Sequence, residues 1–266
     1  MKRFGLIGFP LKNTFSVNYF TEKFESLNLD DHIYENFPIE NIEEIISLVE
    51  NKTDLIGLNI TVPHKVSVIK YLDELDESAK VVGAVNCMKI VRFNQSIDNN
   101  HNASVNNKNF KLIGFNTDVF GFKKSLETFL GEEKHFDKAL ILGTGGASKA
   151  VAYILEKLNI DFKFVTRNNK LQTLNTKQLS YEMLDEEIIH QYQLIINCTP
   201  IGMFPNINEA PLLPYQFITP KHFAFDLIYH PNETLFLKNF REHEAKTKNG
   251  LEMLHLQADK AWEIFQ

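Results

Sequence analysis

The chain has 266 residues, 44% of them apolar, and a formal net charge of −6. That length suits one large domain or two modest ones with ordinary cores, and interspersed acidic and basic residues exclude the basic face that nucleic acid or an anionic membrane surface requires. No run reaches the ~18 apolar residues needed to cross a bilayer, and Cys87 and Cys198, both in apolar strand-like settings, suit reduced thiols in a cytoplasmic protein.

In chain order, "MKRFGLIGFP" predicts a first strand and not a signal peptide, because Gly5, Gly8 and Pro10 interrupt the apolar run. Tyr19, Phe20, Phe24 and Leu27 predict an amphipathic helix and "IYENFPI" a strand; Ile42, Ile45, Ile46 and Val49 mark a second helix before the buried strand "LIGLNITV". The rhythm is βαβαβ. Within "GLNITVPHK", Asn59 and Thr61 share one strand face that leads past Pro63 to Lys65, as expected if something polar sits beside it. His64 reads as an exposed imidazole, and the acidic "DELDE" from Asp73 to Glu77 as a solvated helix face or end. Met88 to Phe115 reads as a hairpin with a polar, asparagine-rich connection at 94–111 on the surface. Asp118, followed by "VFGFKKSLETFL", fits a helix N-cap.

A second alternation runs through "KALILGTGGASKAVAYILEKL", "FKFVTR", "YQLIINCTP" and "HFAFDLIY", predicting a parallel sheet with helical crossovers. After Gly250, one stripe of a last helix carries Leu251, Leu254, Ala258, Ala261, Trp262 and Phe265. The nine histidines lack metal-ligand spacing, so no metal site is expected.

The glycine-rich turn lies between a hydrophobic strand and an amphipathic helix. Gly143 and Gly145 permit a tight turn and close backbone approach, so a pyrophosphate can rest on free N–H groups at the helix N-terminus, with small Ser148 at the third position. About 20 residues on, an NAD site would carry an acid that binds the ribose hydroxyls. Here "FVTRNNK" offers Thr166, Arg167 and Lys170 instead, positive charge suited to a 2′-phosphate, which favours NADP over NAD.

Seven motifs, "GLNITVPHK", "GAVNCM", "GFNTDVFGF", "LGTGGASKA", "NCTPIGM", "DLIYHPNETLF" and "KNGLEMLHLQA", stand in the order and approximate spacing of the shikimate dehydrogenase family, which the chain resembles over nearly its whole length. The resemblance implies an α/β fold in two parts. An N-terminal α/β substrate domain, 1–117, is completed by the C-terminal helix 242–266; a Rossmann-like dinucleotide-binding domain, 118–241, holds NADP(H), with the active site in the interdomain cleft. It implies Lys65 and Asp118 as catalytic residues, and Thr14, Ser16, Asn59, Thr61, Asn86, Tyr229 and Gln257 as substrate-binding. On the cofactor side it adds Thr144, Gly146, Ala147, Thr199, Met203 and Gly250 to Gly143, Gly145, Thr166, Arg167 and Lys170. The first loop, "GFPLKNTFSV", departs from the family's pattern: Asn13 stands for histidine, Thr14 for serine and Val17 for proline.

The implied reaction is reversible reduction of 3-dehydroshikimate to shikimate. Hydride arriving at a carbonyl carbon builds negative charge on oxygen, which calls for a cation or proton donor within reach. Lys65 is expected to supply both, Asp118 to orient it and accept a substrate hydroxyl, and the amides and hydroxyls to suit a polyol. The changed first loop keeps open a quinate or shikimate dehydrogenase of relaxed specificity, or a non-catalytic sensor. A small-molecule substrate, a monomer or homodimer, and a cytoplasmic location complete the expectation.

Overall fold

The structure, a computed structural model, describes residues 1–11, 14–93, 108–131, 136–167 and 177–266. Asn13, Lys170 and most of the asparagine-rich connection, 94–107, therefore lie outside the described residues. The chain divides into two compact units, Met1–Thr117 with Lys260–Gln266, and Asp118–Asp259.

The first unit contains β1 (Lys2–Gly8), α1 (Phe15–Ser26), β2 (His32–Pro38), α2 (Glu44–Asn51) and β3 (Leu55–Ile60), then β4 (Glu74–Leu75), α3 (Glu77–Val82), β5 (Cys87–Arg92) and β6 (Phe110–Phe115). Its sheet order is β2-β1-β3-β5-β6-β4, with β1 parallel to both β2 and β3, and β5 antiparallel to β3 and β6. Burial on both faces explains why β1 and β3 are apolar runs. One face packs Ile7, Leu58, Ile60 and Met88 with Ile45 and Val49 of α2. On the other, Phe4 lies 5.3 Å from Phe265, 5.6 Å from Trp262 and 5.7 Å from Phe24, centroid to centroid. Phe20 stacks on Tyr34 at 4.4 Å. Gly57 is required there, since a Cβ would collide with the Phe265 ring.

Leu6 pairs in register with Asn36 on one side and Asn59 on the other. Because register partners project to the same face, both asparagines stand on the aromatic face, toward the carboxyl ends of their strands. The buried aromatic packing stops there and a polar row takes over.

Two local expectations change and one, a helix end within 73–77, is met in part. The 73–77 run is a short strand and a cap: Glu74 and Leu75 form β4, and the Asp76 carboxylate accepts from the Ala79 N–H at 2.9 Å to start α3. His64 is 3% exposed, because the turn after β3 folds its ring inward, where Nε2 lies 2.6 Å from the Ile39 carbonyl. Asp118 sits inside the first turn of a helix that begins at Thr117, so it is not an N-cap.

The second unit runs through α4 (Thr117–Leu130), β7 (Lys138–Leu142), α5 (Gly146–Lys157), β8 (Asp161–Thr166), β9 (Gln178–Ser180), α6 (Glu186–Gln191) and β10 (Leu194–Asn197). It continues with β11 (Phe223–Asp226), α7 (Leu235–Glu242), β12 (Lys246–Lys248) and α8 (Leu251–Phe265). Among the described residues its sheet order is β12-β11-β10-β7-β8-β9, every pair parallel. The chain proceeds outward from β7 in one direction and from β10 in the other, so the order reverses between them. Crevices at such a reversal, beyond the carboxyl ends of the strands, are where open α/β sheets bind ligands. Ala139 to Leu142 and Leu194 to Ile196 are fully buried. Along α8 the buried positions are Met253, Ala258, Ala261, Trp262 and Phe265, whereas Leu251 is exposed, because the stripe turns inward only after the first residue.

Candidate active site

In the first unit the polar row beyond the sheet is hydrogen-bonded within itself. Thr14 occupies the residue before α1 in extended conformation, and its hydroxyl donates to Asn36 Oδ1 at 3.0 Å, not to the helix N-terminus. The Tyr34 hydroxyl donates to Asn59 Oδ1 at 2.9 Å. Burial holds the Tyr34 phenol well above its ordinary value, so it is a neutral donor at any physiological pH. Asn59 Nδ2 reaches toward the Asn86 carbonyl at 3.4 Å. Thr14, Ser16, Asn59 and Thr61 are all half-buried.

The turn after β3 carries Lys65. The Thr61 N–H donates to the Ile7 carbonyl at 2.8 Å, the His64 N–H returns to Thr61 at 2.9 Å, and the Lys65 carbonyl accepts from the Val85 N–H at 2.7 Å. Three main-chain bonds thus fix where the half-buried lysine leaves the backbone. Asn86 is buried, and its Oδ1 accepts the Thr117 N–H at 2.7 Å, satisfying one of the otherwise unpaired donors that open α4. The residue that follows is Asp118.

In the second unit Asp118 is 8% exposed. It lies three residues before Gly121, on the same helical face, and Gly121 lies against α8: a Cβ there would press on the Met253 carbonyl and on Gln257. Asp118 and Gln257 are thereby brought to one side of α4. Ser125 and Lys248 both bond Glu252 Oε2, at 2.7 and 2.5 Å, tying α4, β12 and α8 together.

Beyond β7 the chain turns at Gly143, whose φ of +96° favours glycine. Gly145 then occupies the cap position of α5, and Thr144, Gly145, Gly146 and Ala147 are exposed. A Cβ built at Gly145 or Gly146 meets nothing within 4 Å among the described residues, so the helix N-terminus stands open to an anion. Ser148 is fully buried and its hydroxyl donates to the Gly145 carbonyl at 2.6 Å, closing the loop from beneath. Thr166 ends β8 and Arg167 is exposed just past it. Arg167 acts electrostatically on Tyr181, whose phenol burial pushes up to about 12.

Ala147, Thr199, Met203 and Tyr229 come together, with Cys198 and Phe204, in a cleft of about 440 Å³. Gly250 is not itself in that lining but lies against it, buried, with its N–H donating at 3.0 Å to the carbonyl of Ile228, which is a lining residue. Two further residues bond to residues of this lining without joining it. Asn197 and Asp226 end β10 and β11 in register, both fully buried, and Asn197 Nδ2 donates to Asp226 Oδ1 at 3.0 Å. Their signal in the sequence is a polar residue closing each apolar strand, "LIIN" and "FAFD". Tyr34 and Asn36 carry no such signal: in "IYENFPI" they look like ordinary strand alternation. Among the described residues no group of three or more His, Cys, Asp or Glu side chains is arranged to hold a metal ion, and no helix is long and apolar enough to cross a membrane.

Residues 6–88 match the family model for the shikimate dehydrogenase substrate binding domain. A shikimate dehydrogenase (NADP(+)) of Methanococcus maripaludis is 37% identical over 277 residues, covering 99% of this chain and 91% of that protein. A crystal structure of a shikimate dehydrogenase in complex with NADP+ superposes with a TM-score of 0.80 at 32% identity, covering 100% of this chain and 90% of the other. Shikimate dehydrogenase 1 of Peptoclostridium difficile gives 0.78 at 34% identity, covering 100% and 92%. The chain belongs to the shikimate dehydrogenase family.

Proposed function

We propose that the protein is an NADP-dependent shikimate dehydrogenase that reversibly reduces 3-dehydroshikimate to shikimate, in the pathway to chorismate and the aromatic amino acids. The observation that carries this reading is the row of amides and hydroxyls at the carboxyl ends of β2 and β3, ending in a lysine held by three main-chain bonds. A small ring bearing hydroxyls, a ketone and a carboxylate matches such a row, since each amide and hydroxyl both donates and accepts.

The residues present fit the cofactor. The open N-terminus of α5 suits a pyrophosphate, and Arg167 suits a 2′-phosphate. Bound there, the nicotinamide would supply or accept the hydride. The chain's own part is to bind, orient and move a proton. Lys65 offsets the charge that develops on the ketone oxygen and delivers its proton, and takes the proton back from the alcohol in reverse. Asp118 accepts a substrate hydroxyl. Asn59, Thr61, Asn86 and Gln257 bind the remaining hydroxyls, and Tyr229 and Met203 wall the ring and the nicotinamide.

Thr14 and Ser16 receive the carboxylate. The Thr14 hydroxyl is engaged within the protein, with Asn36, so it exchanges a protein partner for the ligand on binding. The enzyme acts in the cytoplasm, as a monomer or homodimer. The test is a four-way assay of purified protein: shikimate or quinate, each with NADP⁺ or NAD⁺. Shikimate with NADP⁺ is expected to give the highest kcat/KM; equal or better turnover of quinate with NAD⁺ would overturn the assignment.

A further inference from the structure

We propose that Asp226 is a positioning residue for the NADP(H) cleft, holding both of its walls in register through one buried carboxylate; this rests on the function proposed above. Asp226 Oδ1 accepts from Asn197 Nδ2 and from the Ile228 N–H, each at 3.0 Å, and Oδ2 accepts from the Thr234 hydroxyl at 2.6 Å. Asn197 turns its own oxygen to Thr199, accepting from the N–H at 3.0 Å and the hydroxyl at 2.7 Å, and the Thr199 hydroxyl in turn accepts from the Ile201 N–H at 3.3 Å. One branch therefore sets the wall that carries Thr199 and Met203. The other, through Ile228, sets the wall that carries Tyr229, and Thr234 anchors α7 by accepting from the Leu237 N–H at 3.3 Å.

The carboxylate touches neither the cleft nor solvent: it is fully buried and absent from the cleft lining. A buried acid is costly unless its oxygens are satisfied, and here both are used to fix strand-end loops on either side of one cleft. Burial raises the carboxyl to about 7 against the lowering effect of its three donors. The ionisable groups that sense its charge are Cys198 and Tyr215, both pushed up by burial and so neutral in this range. Protonation turns one accepting oxygen into a donor, and the three-donor arrangement is then incomplete. NADPH affinity should accordingly weaken as pH falls through this value.

The experiment is a fluorescence titration of NADPH into purified wild-type protein and Asp226→Asn at about pH 6 and about pH 8.5, with shikimate binding and thermal midpoint measured alongside. The expected result is NADPH affinity about tenfold weaker in the variant at the higher pH and a wild-type-to-variant ratio that shrinks toward one at the lower pH. Taking the ratio cancels titration of the cofactor's own phosphate. A lowered midpoint with NADPH affinity and its pH profile both unchanged would overturn the proposal. Should Asp226→Asn not fold, Thr234→Val and Thr234→Ser decide it: the valine is expected to weaken NADPH binding and the serine to restore it, and equal affinities would reject the role. Wild-type protein that bound no NADPH would instead reject the functional reading beneath it.

Discussion

The Tyr34 hydroxyl donates to Asn59 Oδ1 across 2.9 Å, so a phenol that faces away from the solvent holds a residue proposed to bind substrate. Without that hydroxyl, Asn59 Oδ1 loses its partner and, among the described residues, the amide is held only through Asn86. Tyr34→Phe keeps the stacking on Phe20 and removes only the hydroxyl. KM for shikimate is expected to rise roughly two- to tenfold, the range of one ordinary hydrogen bond, while NADPH affinity stays as it was. Steady-state kinetics with shikimate varied at saturating NADP⁺ would show it; an unchanged KM would remove Tyr34 from the substrate site.

Lys65 leaves a turn pinned by main-chain bonds on Thr61, His64 and Lys65 itself, so truncating its side chain should not disturb the backbone. Lys65→Ala is expected to lower kcat by roughly 10²–10⁴, the usual worth of a positioned proton donor, with NADPH binding intact by fluorescence titration. Full activity in this variant would rule out the lysine.

Arg167 stands exposed just past β8, where an acid would have served NAD. Arg167→Ala should reduce the preference for NADPH over NADH by about tenfold or more, the cost of a charge-assisted hydrogen bond. The measurement is kcat/KM for both cofactors, and an unaltered ratio would place the phosphate elsewhere.

Two glycines should separate binding from stability. At Gly145 an added methyl meets nothing within 4 Å among the described residues, and φ of −77° suits any residue. Gly145→Ala is therefore expected to melt like wild type while weakening NADPH binding, because the methyl stands where the pyrophosphate must approach. At Gly250 the methyl would overlap the Leu227 carbonyl, a main-chain atom that cannot swing away. Gly250→Ala should lose about 1–3 kcal/mol of stability by overpacking. Denaturant titration of both variants, with NADPH binding measured in parallel, checks the pair; the opposite pattern would contradict it.

His222 is 1% exposed, with Nε2 3.0 Å from the Ile189 carbonyl and Nδ1 accepting from the Thr219 N–H at 3.0 Å. Both ring nitrogens are thus committed in the neutral tautomer, and burial lowers its pKa below 6.5. The unfolded chain binds the proton more readily, so this contribution is complete above 6.5 and is lost as pH falls through 6.5 toward the lower folded-state value. Denaturation midpoints between about pH 7.5 and about pH 5.5 should fall less steeply in His222→Gln than in wild type. Parallel slopes would show that His222 does not titrate on unfolding.

The order of strands and helices, the glycine turn and the apolar cores were legible in the sequence, because strands buried on both faces must be continuously apolar and a tight turn under a phosphate needs glycine. Ala139 to Leu142 and Leu194 to Ile196 show the first rule, Gly143 at positive φ the second. Asn59 and Thr61 also announced themselves, as polar residues on an otherwise buried strand. What tertiary structure alone decided is which side chains meet. Tyr34 reaches Asn59 across 25 residues and Asn197 reaches Asp226 across 29. His64 is buried because Ile39, also 25 residues away, presents a carbonyl to it. Such pairings depend on strand register and crossover path, which are set by the packing of the whole sheet and leave no trace in any local window of residues.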